Sequence, residues 1–218
     1  MILKNRIFER KEPSREAKSF YIFCEGNSRE PQYLLYFKEI DSKINVEVVR
    51  AQFHDNNSPT GLYDKACLYV LSSDDNPNPK FELLDIDEVW FVIDTDKWGS
   101  KIEELRNKCK KHESWFIAQS NPCFEVWLYY HFNQNLPAFK GMEISKNWKK
   151  YLNSIVKGGF DPRKHPIFIG EAIKNAKKNY AENNKLLNLC STEMYKLGEK
   201  IYPLIEKTII EGLDKIEE

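Results

Sequence analysis

The sequence predicts an α/β protein: a doubly wound, mainly parallel four-stranded sheet with a C-terminal helical appendage. Three observations predict it. Four short apolar runs (residues 19–24, 44–49, 88–93 and 114–118) each lead into a segment with helical spacing of its apolar residues, and strands alternating with helices build parallel sheets. The chain has 218 residues, 41% of them hydrophobic, which is enough for a full core and argues against wholesale disorder. After Phe132 the strand signals stop and the charge balance turns. Residues 1–132 carry 18 basic and 22 acidic side chains, and residues 133–218 carry 15 and 11.

The elements follow in order. Residues 1–18 are charged, contain Pro13, and read as a loose polar arm. Residues 19–24 (SFYIFC) form a buried strand that ends at the Glu25-Gly26 turn. Pro31 suits a first helical turn, and Tyr33, Leu34, Phe37 and Ile40 follow on one face. Residues 44–49 alternate and are β-branched, the mark of a second strand. Residues 61–71 put Leu62, Ala66, Tyr69 and Val70 on one helical face, and a polar loop with two prolines follows at 72–80. Residues 88–93 (EVWFVI) give the strongest strand signal and end on Asp94-Thr95-Asp96. Residues 101–111 make a charged surface helix on Ile102 and Leu105, and 114–118 make the fourth strand. Asn121-Pro122 then has the N-cap and N1 chemistry of a helix start, with Phe124, Trp127, Leu128 and His131 on its face. The α/β core thus covers 19–132. Residues 133–218 read as helices near 145–156, 169–189 and 191–216, packed on that core and without a strand.

Composition removes several classes of function. Lys plus Arg and Asp plus Glu each total 33, so the chain is not a generally basic nucleic-acid coat. Its apolar runs are too short to span a bilayer, and residues 1–18 lack the apolar stretch of a signal peptide. A cytoplasmic protein without a membrane partner is expected. The five cysteines are scattered, with no Cys-x-x-Cys pair and no histidine at ligand spacing. Buried thiols acting as small hydrophobes are the simpler reading. No phosphate-binding Gly-x-x-x-x-Gly-Lys-Ser/Thr loop is present.

The acids carry the chemical signal. Ligands of open parallel sheets bind beyond the carboxyl ends of the strands. Glu25 follows the first strand there, Asp94 and Asp96 follow the third, and Glu125 lies in the first turns after the fourth. In an Asp-x-Asp that continues a strand, both carboxylates point the same way. Carboxylates gathered on one rim repel, and a hard divalent cation with oxygen ligands removes the conflict. Glu25, Asp94 and Asp96 are therefore the candidate metal ligands. Glu30 and Glu125 are further catalytic candidates, although a helix start favours an acid in any case. Lys97 could steady charge on a phosphate, and Thr95 should bond locally. His131 reads as a satisfied core histidine, and Cys24 and Cys123 lack a base that would make them nucleophiles. Residues 145–185 hold ten basic and three acidic side chains interleaved with aromatics. That pattern allows phosphate contact and base stacking, through Lys146, Lys149 and Lys150 first. Solvated lysines and core aromatics are the competing reading.

The segments FCEGNSREPQY (23–33), VWFVIDTDK (89–97), SNPCFEVWLYYHF (120–132) and NLCSTEMYKL (188–197) resemble the RloB-like family, linked to abortive phage infection. Arg29 departs from the family pattern, which usually has threonine there. The family in turn resembles a variant of the Toprim fold, with a glutamate after the first strand and Asp-x-Asp after the third. The resemblance implies Mg²⁺- or Mn²⁺-dependent phosphodiester chemistry on nucleic acid, DNA or RNA, in a phage-defence nuclease. It also implies an RloA-like ATPase partner of the ABC or AAA type. The alternative is a Toprim-like binding subunit without turnover that regulates such an ATPase. A phosphatase of the haloacid-dehalogenase kind also uses Asp-x-Asp, but directly after its first strand, and Trp98 stands here where that motif wants Thr or Val.

Overall fold

The computed structural model describes residues 7–51, 56–95, 98–184 and 186–217. Four strands, β1 (Lys18–Cys24), β2 (Ile44–Val49), β3 (Glu88–Asp94) and β4 (Trp115–Ser120), form one sheet in the order β2-β1-β3-β4. Every pairing is parallel, and the register runs Phe23 to Phe91 to Ile117 across the centre. β1 and β3 are buried almost throughout, so these runs are continuously apolar rather than alternating.

The strand order also explains the layers. The chain steps from β1 out to β2, then crosses back over β1 to β3 and β4. Right-handed crossovers that reverse direction put their helices on opposite faces. Accordingly α1 (Arg29–Leu34) and the single-turn helix at Leu35–Phe37 pack on Phe20, Ile22, Trp90 and Val92. Helices α2 (Pro59–Val70) and α3 (Ser100–Cys109) pack on Tyr21, Phe23, Phe91 and Ile93. The short α1 cannot cover its face alone. Helices α4 (Glu125–Tyr129), α5 (Ser145–Ile155), α6 (Ile169–Lys178) and α7 (Met194–Glu217) complete that layer. On α7, Leu197, Ile201, Ile205 and Ile209 recur every fourth residue and are all buried. Gly198 permits the close α6–α7 contact, because a Cβ there would stand 2.7 Å from Ile173 Cγ1.

Three local expectations are corrected. Asn121-Pro122 does not start a helix. Asn121 donates its N–H to the Ser191 carbonyl (2.9 Å) and accepts from Cys190 N (2.8 Å). Its side-chain amide donates to the Leu187 carbonyl (2.6 Å). Pairing with the 187–191 segment takes up the Asn121 carbonyl, which in a cap would accept the first helical N–H, and α4 begins at Glu125. The helix expected over 169–189 stops at Lys178, and β5 (Glu182–Asn183) and β6 (Leu186–Leu187) form a small antiparallel hairpin where no strand was expected. Asn184 takes the left-handed turn conformation (φ 49°) that asparagine tolerates. Of the expected loose arm, residues 7–17 are tied down. Lys11 N–H donates to the Glu39 carbonyl and Ser14 N–H to the Ser42 carbonyl, and Phe8 packs edge-on against Tyr36.

The five cysteines are free thiols and four are buried, as their scatter suggested. Among the described residues no helix is long and apolar enough to cross a membrane.

Candidate functional site

With the order β2-β1-β3-β4, connections leave β1 and β3 in opposite directions. A crevice opens between their carboxyl ends, the place where open α/β sheets bind ligands. Glu25 and Asp94 stand at that crevice. Glu25 continues β1, donating its N–H to the Val92 carbonyl (3.0 Å). Its side chain turns across to β3, where Oε2 accepts the Asp94 backbone N–H at 3.0 Å. Two acids 69 residues apart are thus fixed side by side by the sheet register.

A cleft of about 450 Å³ opens there, walled by Glu25, Glu30, Asp94 and Glu125 with Arg29 and Lys149. Glu30 comes from the first turn of α1 and folds back over Gly26, where any Cβ would collide with its carboxylate. Burial, then the charges of Glu125 and Glu25, raise the Glu30 pKa above the ordinary carboxylate range, with partial relief from Lys149. Glu125 is buried at the start of α4, and its Oε1 lies 3.2 Å from the Arg29 guanidinium. Arg29 therefore supplies a counter-charge to one of the four acids. The Cys123 thiol is pushed far up by burial and by Glu125 and Asp94. Burial and Glu30 do the same to Cys24. Both shifts disfavour the thiolate form that a cysteine nucleophile uses.

Asp96 and Lys97 lie outside the described residues. Lys149 reaches the cleft from α5, whereas Lys146 and Lys150 are exposed on α5 and do not line it. The aromatic residues interleaved with these lysines belong to the core: Trp148 is fully buried, and Tyr151, Phe160, Phe168 and Tyr180 pack against the same cluster. His131 is a core histidine, as its helix face implied. Its Nδ1 is 3.0 Å from the Trp127 carbonyl and its Nε2 is 3.1 Å from Tyr33 Oη. The carbonyl can only accept, so Nδ1 carries the proton and Tyr33 donates to Nε2. Among the described residues, no three His, Cys, Asp or Glu side chains form a group that could hold a metal ion.

One set of residues behind the cleft was not picked out from sequence. Thr95 Oγ1 donates to the Ser120 carbonyl (2.9 Å) and accepts from Gln119 Nε2 (2.6 Å), cross-strand bonds to β4 rather than the local bond expected of it. Gln119 Oε1 accepts from Arg106 (2.7 Å), and Arg106 also pairs with buried Glu193 (2.6 Å). Glu193 in turn accepts the Gln119 backbone N–H (3.3 Å). The Asp94-Thr95 turn is thereby tied to the start of α7. The only signal in the sequence was a carboxylate inside the 188–197 motif.

A family model described as RloB-like protein matches residues 20–201. The chain belongs to the RloB-like family. The match runs from β1 well into α7, so the shared RloB-like unit includes the C-terminal helices as well as the sheet. Glu193 and its partners fall within it, as do all four acids of the cleft. Comparison with curated proteins and with solved structures returned no match.

Proposed function

We propose that this RloB-like protein hydrolyses nucleic-acid phosphodiester bonds with Mg²⁺ or Mn²⁺, held by Glu25 and Asp94 with Asp96. In this reading it is the toxic effector of a phage-defence pair, and an ABC- or AAA-type ATPase is its partner. The observation that carries the reading is the convergence of four carboxylates on one cleft at the β1–β3 crevice. Burial first, and then the neighbouring Glu125 and Glu25, raise the proton affinity of Glu30. A glutamate after the first strand and an aspartate closing the third also match the Toprim-like layout that the sequence resembles.

The donor set suits the ion. All four acids offer hard oxygen, and Mg²⁺ keeps several waters while using one or two protein carboxylates, so a pair such as Glu25 and Asp94 suffices. When bound, such an ion supplies charge neutralisation at a phosphate and lowers the pKa of a bound water. The chain's own groups do the rest. Glu30 holds its proton above the usual range and can exchange one with water or a leaving oxygen through its carboxylate. Lys149 and Arg29 place positive charge at the cleft for phosphate oxygens.

The test uses the full chain with labelled tRNA, single-stranded RNA and single- and double-stranded DNA, in Mg²⁺, Mn²⁺ or EDTA. It is run with and without the neighbouring ATPase. Metal-dependent cleavage that disappears in Asp94→Asn is expected. Intact substrates under every condition, with no metal-induced rise in melting temperature, would refute it. The alternative reading is a binding subunit without turnover. That reading predicts a changed ATPase rate with every substrate left whole.

A further inference from the structure

We infer that a groove running from the acidic cleft along α1 is the track for a single-stranded nucleic-acid segment, its phosphates held by Arg50 and Arg163 and a base against Phe160. The inference rests on the nuclease reading for its chemistry, but it concerns a different surface.

Continuity is the first observation. The acidic cleft shares Ser28 and Arg29 with a small depression of about 220 Å³. That depression shares Gln32, Phe160 and Pro162 with a groove of about 690 Å³. One path therefore leads from the carboxylates past Arg29 and Phe160 into the larger groove.

Charge is the second. Four acids face Arg29 and Lys149 in the cleft, whereas the groove has Arg10, Lys38, Arg50 and Arg163 against Glu39 and Asp161. The sign reverses along the path. Arg50 is the first residue after β2, so the rim of the sheet reads Arg50, Glu25, Asp94 across three neighbouring strands. No carboxylate among the described residues pairs with Arg50, which is exposed. Arg163 chelates Asp161 through Nε (2.9 Å) and Nη2 (2.8 Å), and a guanidinium with five donors keeps others for a phosphate.

The third observation is a fixed aromatic ring at the junction. Phe160 is held among Tyr33, His131 and His165, with ring centroids 5.2–6.1 Å away, and still lines both depressions. A basic groove with a fixed aromatic platform is the chemistry that tracks unpaired strands. Glu125 is buried and Glu30 half-buried at the cleft end of the path. This surface, rather than the lysine face of α5, becomes the main substrate contact.

Binding of a fluorescein-labelled single-stranded RNA of mixed sequence to the full chain in EDTA, read by anisotropy, tests the groove without metal or turnover. Two phosphate contacts, at Arg50 and Arg163, predict a roughly sevenfold loss of affinity between about 50 and about 200 mM salt. Arg50→Ala should lower the log–log salt slope by about 0.7. Arg50→Glu/Arg163→Glu should weaken binding more than about tenfold. Lys110→Ala/Lys111→Ala, beyond α3 on the opposite face, should bind as wild type. Absence of wild-type binding at low salt, unaltered slopes in the groove variants, or equal competition by duplex RNA would overturn the proposal. Binding through the groove without cleavage in metal, both with and without the ATPase, would refute the nuclease reading and leave the groove standing. Cleavage at an unchanged kcat/KM by Arg50→Glu/Arg163→Glu would do the reverse.

Discussion

Glu193→Ala tests whether the C-terminal helix holds the candidate site together. The Glu193 side chain is 3% exposed and Arg106 is 28% exposed. Glu193 lies 2.6 Å from Arg106 Nη2, 2.8 Å from Lys196 Nζ and 3.3 Å from the Gln119 backbone nitrogen. Removing one partner of a buried ion pair costs about 3–5 kcal/mol, because the other charge is left uncompensated. Water already reaches Arg106, which lowers that cost, and the half-exposed Lys196 adds little. The orphaned Gln119 N–H adds back part of it. The net loss should be about 2–3 kcal/mol, or about 5–10 °C in melting temperature for a chain of this size. Glu193→Gln keeps an acceptor for Gln119 N–H and should fall between. Chemical denaturation of Glu193→Ala, Arg106→Ala and the double variant measures the coupling, and the double should cost less than the sum. Gln119→Ala breaks the link to Thr95 and keeps the ion pair. It should cost less stability than Glu193→Ala while lowering any activity at the cleft. A Glu193→Ala protein that melts within about 1 °C of wild type would show that this network carries neither charge nor strain.

Three further outcomes are expected. Burial lowers the His131 pKa to about 3. The folded state therefore binds fewer protons than the unfolded state, and His131 lowers stability as pH falls from about 6.5 toward about 3; denaturation across that window should show a slope that His131→Gln flattens. Glu30 has the opposite sign for an acid, since its raised pKa makes the folded state hold the extra proton and lose stability as pH rises above the unfolded value. Glu30→Gln should accordingly melt higher than wild type at about pH 7 without metal, and the gain should shrink to nothing as pH falls below about 3.5, where the Glu30 carboxyl is mostly protonated in the folded and the unfolded state alike. Asp94→Asn relieves the same crowding of charge, so it should melt at or above the wild-type temperature in EDTA. It should also lose any Mg²⁺-induced rise, which for a bound ion reaches about 2.7 kcal/mol at a hundredfold excess over Kd; a fall in EDTA would mark Asp94 as scaffold.

The sheet was legible in the sequence because β1 and β3 are buried on both faces and must be continuous apolar runs, while the half-buried β2 alternates, and the four runs stand within a residue or two of the observed strands. Glu25 and Asp94 were legible for a related reason. Residues at the carboxyl ends of parallel strands share a rim whatever the strand order, so two local patterns far apart in sequence could be placed together. The order β2-β1-β3-β4 left no local mark, and it is that order which puts these two ends at the same crevice. The expected cap at Asn121 failed because the competing partners lie at 187–191, outside any local window. Lys149 was separated from Lys146 and Lys150 only when α5 docked, since one lysine of the three faces the cleft. Arg29 with Glu125 and Arg106 with Glu193 are 96 and 87 residues apart. An ion pair of that kind has no periodicity and no spacing; it exists only once packing has removed water from one of its members. Strand, helix face and rim are properties of neighbouring residues and of the periods two and 3.6. The charge balance of the cleft is a property of burial, and burial is decided by the tertiary fold.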